Sequence, residues 1–165
     1  MKDEDKISVA ALREWLNYDP LTGVFTWAKK PNRRIVIGRQ AGSNTKGRPR
    51  ISINGVDLFA SRIAWAYVHG SFPSGLIDHI NGNPCDNRIS NLRDVSPMGN
   101  SQNMRTPGKL NTSGFLGVMA GRNGKWRAQI KIEKTPVDLG EYKTKEEAAA
   151  AYLGAKRAFH RTCTI

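Results

Sequence analysis

Residues 76–103 read LIDHINGNPCDNRISNLRDVSPMGNSQN, and the rest of the chain is organised around them. An Asp-His pair, Asp78-His79, stands ahead of spaced asparagines at Asn81, Asn83, Asn87, Asn91, Asn100 and Asn103. Carboxylate and amide oxygens are hard ligands that suit Mg²⁺ or Mn²⁺ better than Zn²⁺. Histidine is the side chain best placed to take a proton near neutral pH. Apolar Leu76-Ile77 leads into the pair as a strand. Asn81-Gly82-Asn83-Pro84 is turn chemistry, and Ile89, Leu92 and Val95 restore an apolar beat. Ser96-Pro97 opens a helix, with Ser as N-cap and Pro at the first helical position. Asn100 and Asn103 then lie at i and i+3 on one helix face. The order is strand, loop, strand, helix. A base beside a hard-cation site implies metal-assisted attack of water on a phosphodiester.

The charge agrees with that chemistry. Among 165 residues the net charge is +12, which points to a polyanion, nucleic acid before acidic membrane. Residues 1–50 carry 11 Lys/Arg against 5 Asp/Glu, residues 51–104 carry 3 against 4, and residues 105–165 carry 12 against 5. The centre is thus about neutral between two basic flanks. No apolar run approaches the roughly 20 residues needed to span a bilayer. The opening MKDEDKISVA lacks the apolar core of a secretory leader. Two cysteines, Cys85 and Cys163, are too few for a zinc ribbon and read as reduced thiols in a cytoplasmic protein.

Upstream, residues 6–16 have an amphipathic helical pattern, with Ser8 as cap and Val9, Leu12, Trp15 and Leu16 on one face. Asp19-Pro20 and Thr22-Gly23 turn a hairpin into Val24, Phe25 and Trp27. Residues 29–50 hold eight Lys/Arg and no acid. They read as a loop region, with one strand at Ile35–Ile37 and with Arg33 and Arg34 available to DNA phosphates. Asn54-Gly55 sits between two short strands as a hairpin turn. Residues 59–70 read as a helix ended by Gly70, with His69 as a helix-terminal histidine.

Downstream, residues 105–110 read as a linker. Strands are expected at Phe115–Met119, Trp126–Ile132 and Val137–Tyr142, followed by a helix. Thr144 and Glu147 form its capping box. Ala148, Ala151, Tyr152, Ala155 and Phe159 form its apolar stripe. Along the middle strand Trp126, Ala128, Ile130 and Ile132 alternate with Arg127, Gln129 and Lys131, so one face packs on the helix and the other is basic. His160 and Cys163 read as incidental.

The pattern DHINGN…DNRISNLR…N resembles the HNH endonucleases, in particular their phage-type homing branch. The likeness runs upstream through ISINGVDLFASRIAWAYVHG and covers roughly residues 10–104. It implies a ββα-metal core at about 76–104. It implies His79 as general base, Asn91 as support for the loop that orients it, and Asp78 and Asn100 as ligands of one Mg²⁺ or Mn²⁺. An Asn at the last motif position departs from the literal H-N-H and trades an imidazole for an amide oxygen. Asn87 and Asn103 are further candidates for contacts around the site. No structural zinc is expected.

The downstream pattern, from Gly117-Val118 through Gly124-Lys125-Trp126 to Glu146-Glu147-Ala148-Ala149 and Tyr152, resembles the Apetala-two (ethylene-response-factor) DNA-binding domain over about residues 111–161. That likeness implies Lys125, Gln129 and Lys131 as groove contacts, with Arg127 on the same face and Arg122 in the turn. Leu116 and Met119 stand where plant members carry arginines, so the plant target sequence does not transfer.

The expectation is an α+β chain of two domains. An HNH nuclease domain over 1–104 opens with hairpins and a helix. A three-stranded antiparallel sheet packed on one helix follows over 111–165. The expected activity is metal-dependent cleavage of double-stranded DNA inside a bacterial host cell, with no membrane, and with a homodimer or another phage protein as further partner. The rival from another class is a sequence-specific DNA-binding regulator with an inactive nuclease core.

Overall fold

The structure is a computed structural model that describes residues 3–45, 47–160 and 162–164, so Lys46 of the basic stretch lies outside the described residues. Small antiparallel sheets and short helices divide between two compact units, Met1–Ser96 and Pro97–Ile165.

In the first unit a 3₁₀ turn at Asp3–Lys6 leads to helix α1, Val9–Trp15. Ser8 Oγ caps α1 by accepting the Ala11 N–H at 3.1 Å. Strands β1 (Leu16–Asp19) and β2 (Val24–Trp27) form the first hairpin. The Asp19 carboxylate ties its turn by accepting the Leu21 N–H and the Thr22 hydroxyl. Strands β3 (Ser43–Thr45), β4 (Arg48–Ile53) and β5 (Val56–Phe59) form a sheet in that order. Asn54 and Gly55, at φ 51° and 80°, both take the left-handed conformation that a type I′ turn requires. Helix α2, Ala60–His69, ends at Gly70 with φ 78°. The His69 ring lies against Trp65 at that end, with centroids 4.0 Å apart.

Strand β6 (Leu76–His79) pairs antiparallel with β7 (Leu92–Val95), after a 3₁₀ turn at Ile89–Asn91. The entry to β6 is fixed twice. Asp94 accepts the Ser74 and Gly75 N–H groups, and the Arg62 guanidinium donates to Pro73 O and Gly75 O while pairing with Glu4. One core serves the unit, with Leu12, Leu16, Phe25, Trp27, Ile51, Ile53, Ile63 and Leu92 all buried. Each leucine and isoleucine among them contributes about 1.5–3 kcal/mol on burial.

Residues 35–37 form no strand. The sheet partner of β4 is Ser43–Thr45 instead. The reason is local: the loop ends pair early, Trp27 N–H with Arg39 O at 3.0 Å and Gly38 N–H with Trp27 O at 2.8 Å, so 35–37 are the turn between them.

The second unit begins with the short helix α3, Pro97–Gln102. Asn103 lies just past its end rather than on it. Strands β8 (Val118–Ala120), β9 (Trp126–Ile132) and β10 (Thr135–Tyr142) lie in the order β10-β9-β8. The first strand starts three residues later than expected, because Asn111 and Ser113 hold the Phe115 carbonyl in a turn. Helix α4, Lys145–Phe159, carries the complete Thr144–Glu147 capping box. Its buried face is shifted from the expected stripe: Ala148, Ala149 and Lys156 are inside and Phe159 is 56% exposed. The Lys156 ammonium donates to Met104 O, and burial lowers its pKa. His160 is not incidental, since its Nε2–H donates to Lys131 O at 2.9 Å and ties the helix end to β9. Among the described residues no helix is long and apolar enough to cross a membrane.

Gly117 has φ 66°, and a Cβ there would fall 2.0 Å from the Tyr152 ring. Gly117→Ala should therefore lower the stability of the second unit by about 2–4 kcal/mol, from backbone strain plus overpacking. Urea unfolding followed by near-ultraviolet circular dichroism measures this. A change below about 0.5 kcal/mol would contradict the packing described.

Candidate active site

The Asp78-His79 pair closes strand β6. Asp78 is buried and lies in register with Arg93 on β7. Arg93 grips carboxylate oxygen Oδ2 from two nitrogens, Nε at 2.8 Å and a terminal nitrogen at 2.7 Å. Two charge-assisted bonds on one oxygen anchor the carboxylate at Oδ2. Arg93 was not singled out in the sequence, although an Arg fifteen positions on in a paired strand is a natural cross-strand partner for a buried Asp.

His79 is half-buried, and its Nε2 lies 3.3 Å from Asn87 Oδ1. An amide oxygen only accepts, so Nε2 carries the proton and Nδ1 carries the lone pair of the neutral ring. Burial pulls the His79 pKa below 6.5, and the Asn87 contact and the Asp78 charge oppose this only in part. Burial therefore favours the neutral form of the ring.

Asn87 is held from the far end of the unit. The Tyr18 hydroxyl donates to Asn87 O at 2.7 Å, and burial pushes the Tyr18 pKa up to about 12, so the donor keeps its proton. Gly23, at φ 74°, lets the first hairpin lie directly on this backbone: a Cβ there would fall 2.4 Å from Arg88 N and 2.5 Å from Asn87 C.

Two side chains organise the intervening loop. Asn91 is buried and bridges its ends, with Oδ1 accepting the Asn81 N–H at 2.9 Å and Nδ2 donating to Asp86 O at 2.8 Å. The Asp86 carboxylate accepts from the Arg88 guanidinium at 2.6 and 2.8 Å and from Asn81 Nδ2 at 2.7 Å. Arg88, more than the Asn81 contact, holds the Asp86 pKa down to about 2. Asn83 is an Asx turn, its Oδ1 accepting the Cys85 N–H.

The remaining candidates belong to other elements. Asn100 is on α3 in the second unit. Asn103 is buried there and accepts the Thr164 hydroxyl at 2.7 Å. Arg122, Lys125, Arg127, Gln129 and Lys131 lie on or beside β9, and Arg127 is paired with Asp138 at 2.8 Å across exposed surface. Arg33 and Arg34 are exposed in the loop after β2. Among the described residues no three His, Cys, Asp or Glu side chains converge on one point.

Residues 58–104 match the family model of the HNH endonucleases. The chain is 42% identical over 71 residues to Protein 3.8 of Escherichia phage T7, a stretch covering 42% of this chain and 58% of that protein. It is 46% identical over 49 residues to an AP2/ERF and B3 domain-containing transcription factor of Arabidopsis thaliana, covering 30% of this chain and 14% of that protein. The chain thus spans less than two thirds of either relative. No solved structure matches it significantly.

Asp86 makes a stability test of the loop. Its folded pKa of about 2 lies below the ordinary 3.8, so its contribution is full above 3.8 and is lost as the pH falls towards 2. Asp86→Asn should lower the melting temperature at neutral pH, and the gap to wild type should close between those two pH values. A gap that stays constant on acidification would show that Asp86 is not the titrating organiser.

Proposed function

We propose that the chain is a divalent-metal-dependent DNA endonuclease with its chemistry centred on Asp78-His79. The observation that carries this reading is the half-buried, neutral His79 held through Nε2 by Asn87, at the centre of the stretch that matches the HNH endonucleases. The net charge of +12 supports a polyanionic substrate.

The cation implied by the HNH resemblance suits the donor types that the resemblance assigns. Asp78 offers a carboxylate and Asn100 an amide oxygen, a hard set fitting Mg²⁺ or Mn²⁺. When bound, such a cation neutralises charge on the scissile phosphate and its leaving oxygen. His79 Nδ1 takes a proton from water, whose oxygen forms the new bond to phosphorus as the bond to the 3′ oxygen breaks. Asn87 keeps the lone pair on Nδ1. Asn91 and Asp86 keep the loop that carries Asn87 in one conformation. Arg93 anchors the Asp78 carboxylate through Oδ2.

The basic flanks hold the duplex. Arg33 and Arg34 contact phosphates on the nuclease side. After the 105–110 linker, the β9 face of the module over 111–165, with Arg122, Lys125, Arg127, Gln129 and Lys131, faces the groove. The similarity to an AP2/ERF transcription factor supports this second module. Arg127 engages DNA in place of Asp138, an exchange that costs little because an exposed ion pair is worth at most about 1 kcal/mol. The setting is the interior of a bacterial cell, in keeping with the phage relative.

His79→Ala should reduce cleavage of supercoiled plasmid in Mg²⁺ by about 10²–10⁴-fold while duplex affinity in Ca²⁺ stays the same. Wild-type single-turnover rates should rise with pH and level off, with the midpoint below 6.5 because burial favours the neutral ring. Unchanged cleavage by the variant would refute the assignment and favour a regulator with an inactive core.

A further inference from the structure

The loop joining β2 to β3 carries a feature that the charge alone does not explain. Val36 is 60% exposed and Ile37 is 55% exposed, two adjacent β-branched apolar side chains on the surface of a basic segment. A solvated connection would place polar residues there. The loop is nevertheless built rather than loose. Trp27 N–H donates to Arg39 O, Gly38 N–H to Trp27 O and Ala41 N–H to Phe25 O, at 3.0, 2.8 and 2.8 Å. Ile35 turns inward and packs on the core. Asn32 Oδ1 accepts the Arg34 N–H at 3.0 Å, shaping one turn. Val36 O accepts the Arg39 N–H at 3.2 Å, shaping a second, with Gly38 at φ 81°.

The two turns leave Val36-Ile37 between Arg33-Arg34 on one side and Arg39 on the other. All three arginines are exposed, and among the described residues none makes an ion pair. Lys29, a few positions earlier, is paired with Glu14 at 2.8 Å. The combination is therefore an apolar tip on a pinned loop, flanked by unpaired guanidinium groups. Duplex DNA offers the matching chemistry, an apolar base stack between two rows of phosphates. Proteins that enter the minor groove commonly unstack a base step with aliphatic side chains while arginines hold the adjacent backbone.

We propose that Val36 and Ile37 form a wedge that enters a base step of the bound duplex, with Arg33, Arg34 and Arg39 on the flanking phosphates. This rests on the reading of the chain as a protein that acts on duplex DNA, and it assigns to the loop a deformation of the DNA beyond phosphate contact.

The test uses the full chain in Ca²⁺ with a duplex of about 30 base pairs carrying 2-aminopurine, whose fluorescence rises on unstacking. Wild type should raise the fluorescence at a subset of label positions. A double variant, Val36→Ser with Ile37→Ser, should abolish that rise and weaken binding about 5–50-fold, with the slope of log affinity against log salt unchanged. A triple variant, Arg33→Gln, Arg34→Gln and Arg39→Gln, should reduce that slope by roughly 3, about 0.9 for each phosphate contact. These positions are exposed, so the melting temperatures of both variants should match wild type. A serine variant that still unstacks and binds like wild type overturns the wedge while leaving the nuclease reading intact. So does a serine variant that only converts a dimer to a monomer in sedimentation, since the tip is then covered by a second copy. A wild type that binds no duplex at all overturns both.

Discussion

The candidate site depends on how closely the first hairpin approaches the backbone at Asn87 and Arg88. Only a glycine at position 23 permits it, because any Cβ would overlap the Asn87–Arg88 peptide. Tyr18 locks the approach with its hydroxyl on Asn87 O, and its ring is stacked on Phe25 with centroids 4.6 Å apart. Tyr67 from α2 packs beside both rings and donates to Leu16 O. The core of the first unit thus extends in an unbroken series of contacts to the amide that faces His79. A 3.3 Å contact to an imidazole is a weak restraint by itself; it becomes a defined one because the backbone of the residue that makes it is held by Tyr18 and packed by Gly23.

The electrostatics follow a related economy. Near the motif every acidic group is committed to a basic or backbone partner: Asp78 to Arg93, Asp86 to Arg88, and Asp94 to the Ser74 and Gly75 amides. In the loop after β2, Arg33, Arg34 and Arg39 make no ion pair among the described residues. In the proposed reading a polyanion is drawn to the flanks, and the centre keeps its carboxylates ordered. The long-range part of this attraction weakens with salt, over a Debye length of about 8 Å at physiological ionic strength.

Local signals were the legible part of the sequence. Ser8, Asn54-Gly55, Gly70 and the Thr144–Glu147 box act within a few residues of themselves, and each forms the cap or turn its chemistry dictates. The strand, loop, strand, helix order around Asp78-His79 was legible for the same reason. What could not be read was set by partners distant in sequence. Asn87 appeared as a secondary candidate because nothing near it announces Tyr18 or Gly23. Nothing in the local sequence marks Asp86, yet it gathers Asn81, Arg88 and Asn91. Lys156 and His160 have polar side chains, and only tertiary carbonyls at Met104 and Lys131 allow them to be buried. The expectation of a strand at 35–37 failed because β-branched composition there serves exposure at a turn rather than pairing in a sheet.

The most direct test is the pH dependence of single-turnover duplex cleavage in saturating Mg²⁺ by wild type, Asn87→Ala and Asn87→Asp. The alanine variant loses the acceptor that fixes Nε2–H, so its plateau should fall by about 10–100-fold, the scale on which ligand-orienting partners act. Its midpoint should move down, because the Asn87 contact favours the protonated ring. The aspartate variant keeps an acceptor and adds charge, so it should retain most of the plateau with its midpoint moved up. Wild-type rates and an unmoved midpoint in the alanine variant would contradict the account, because the contact with Asn87 would then be a neighbour of the chemistry and not part of it.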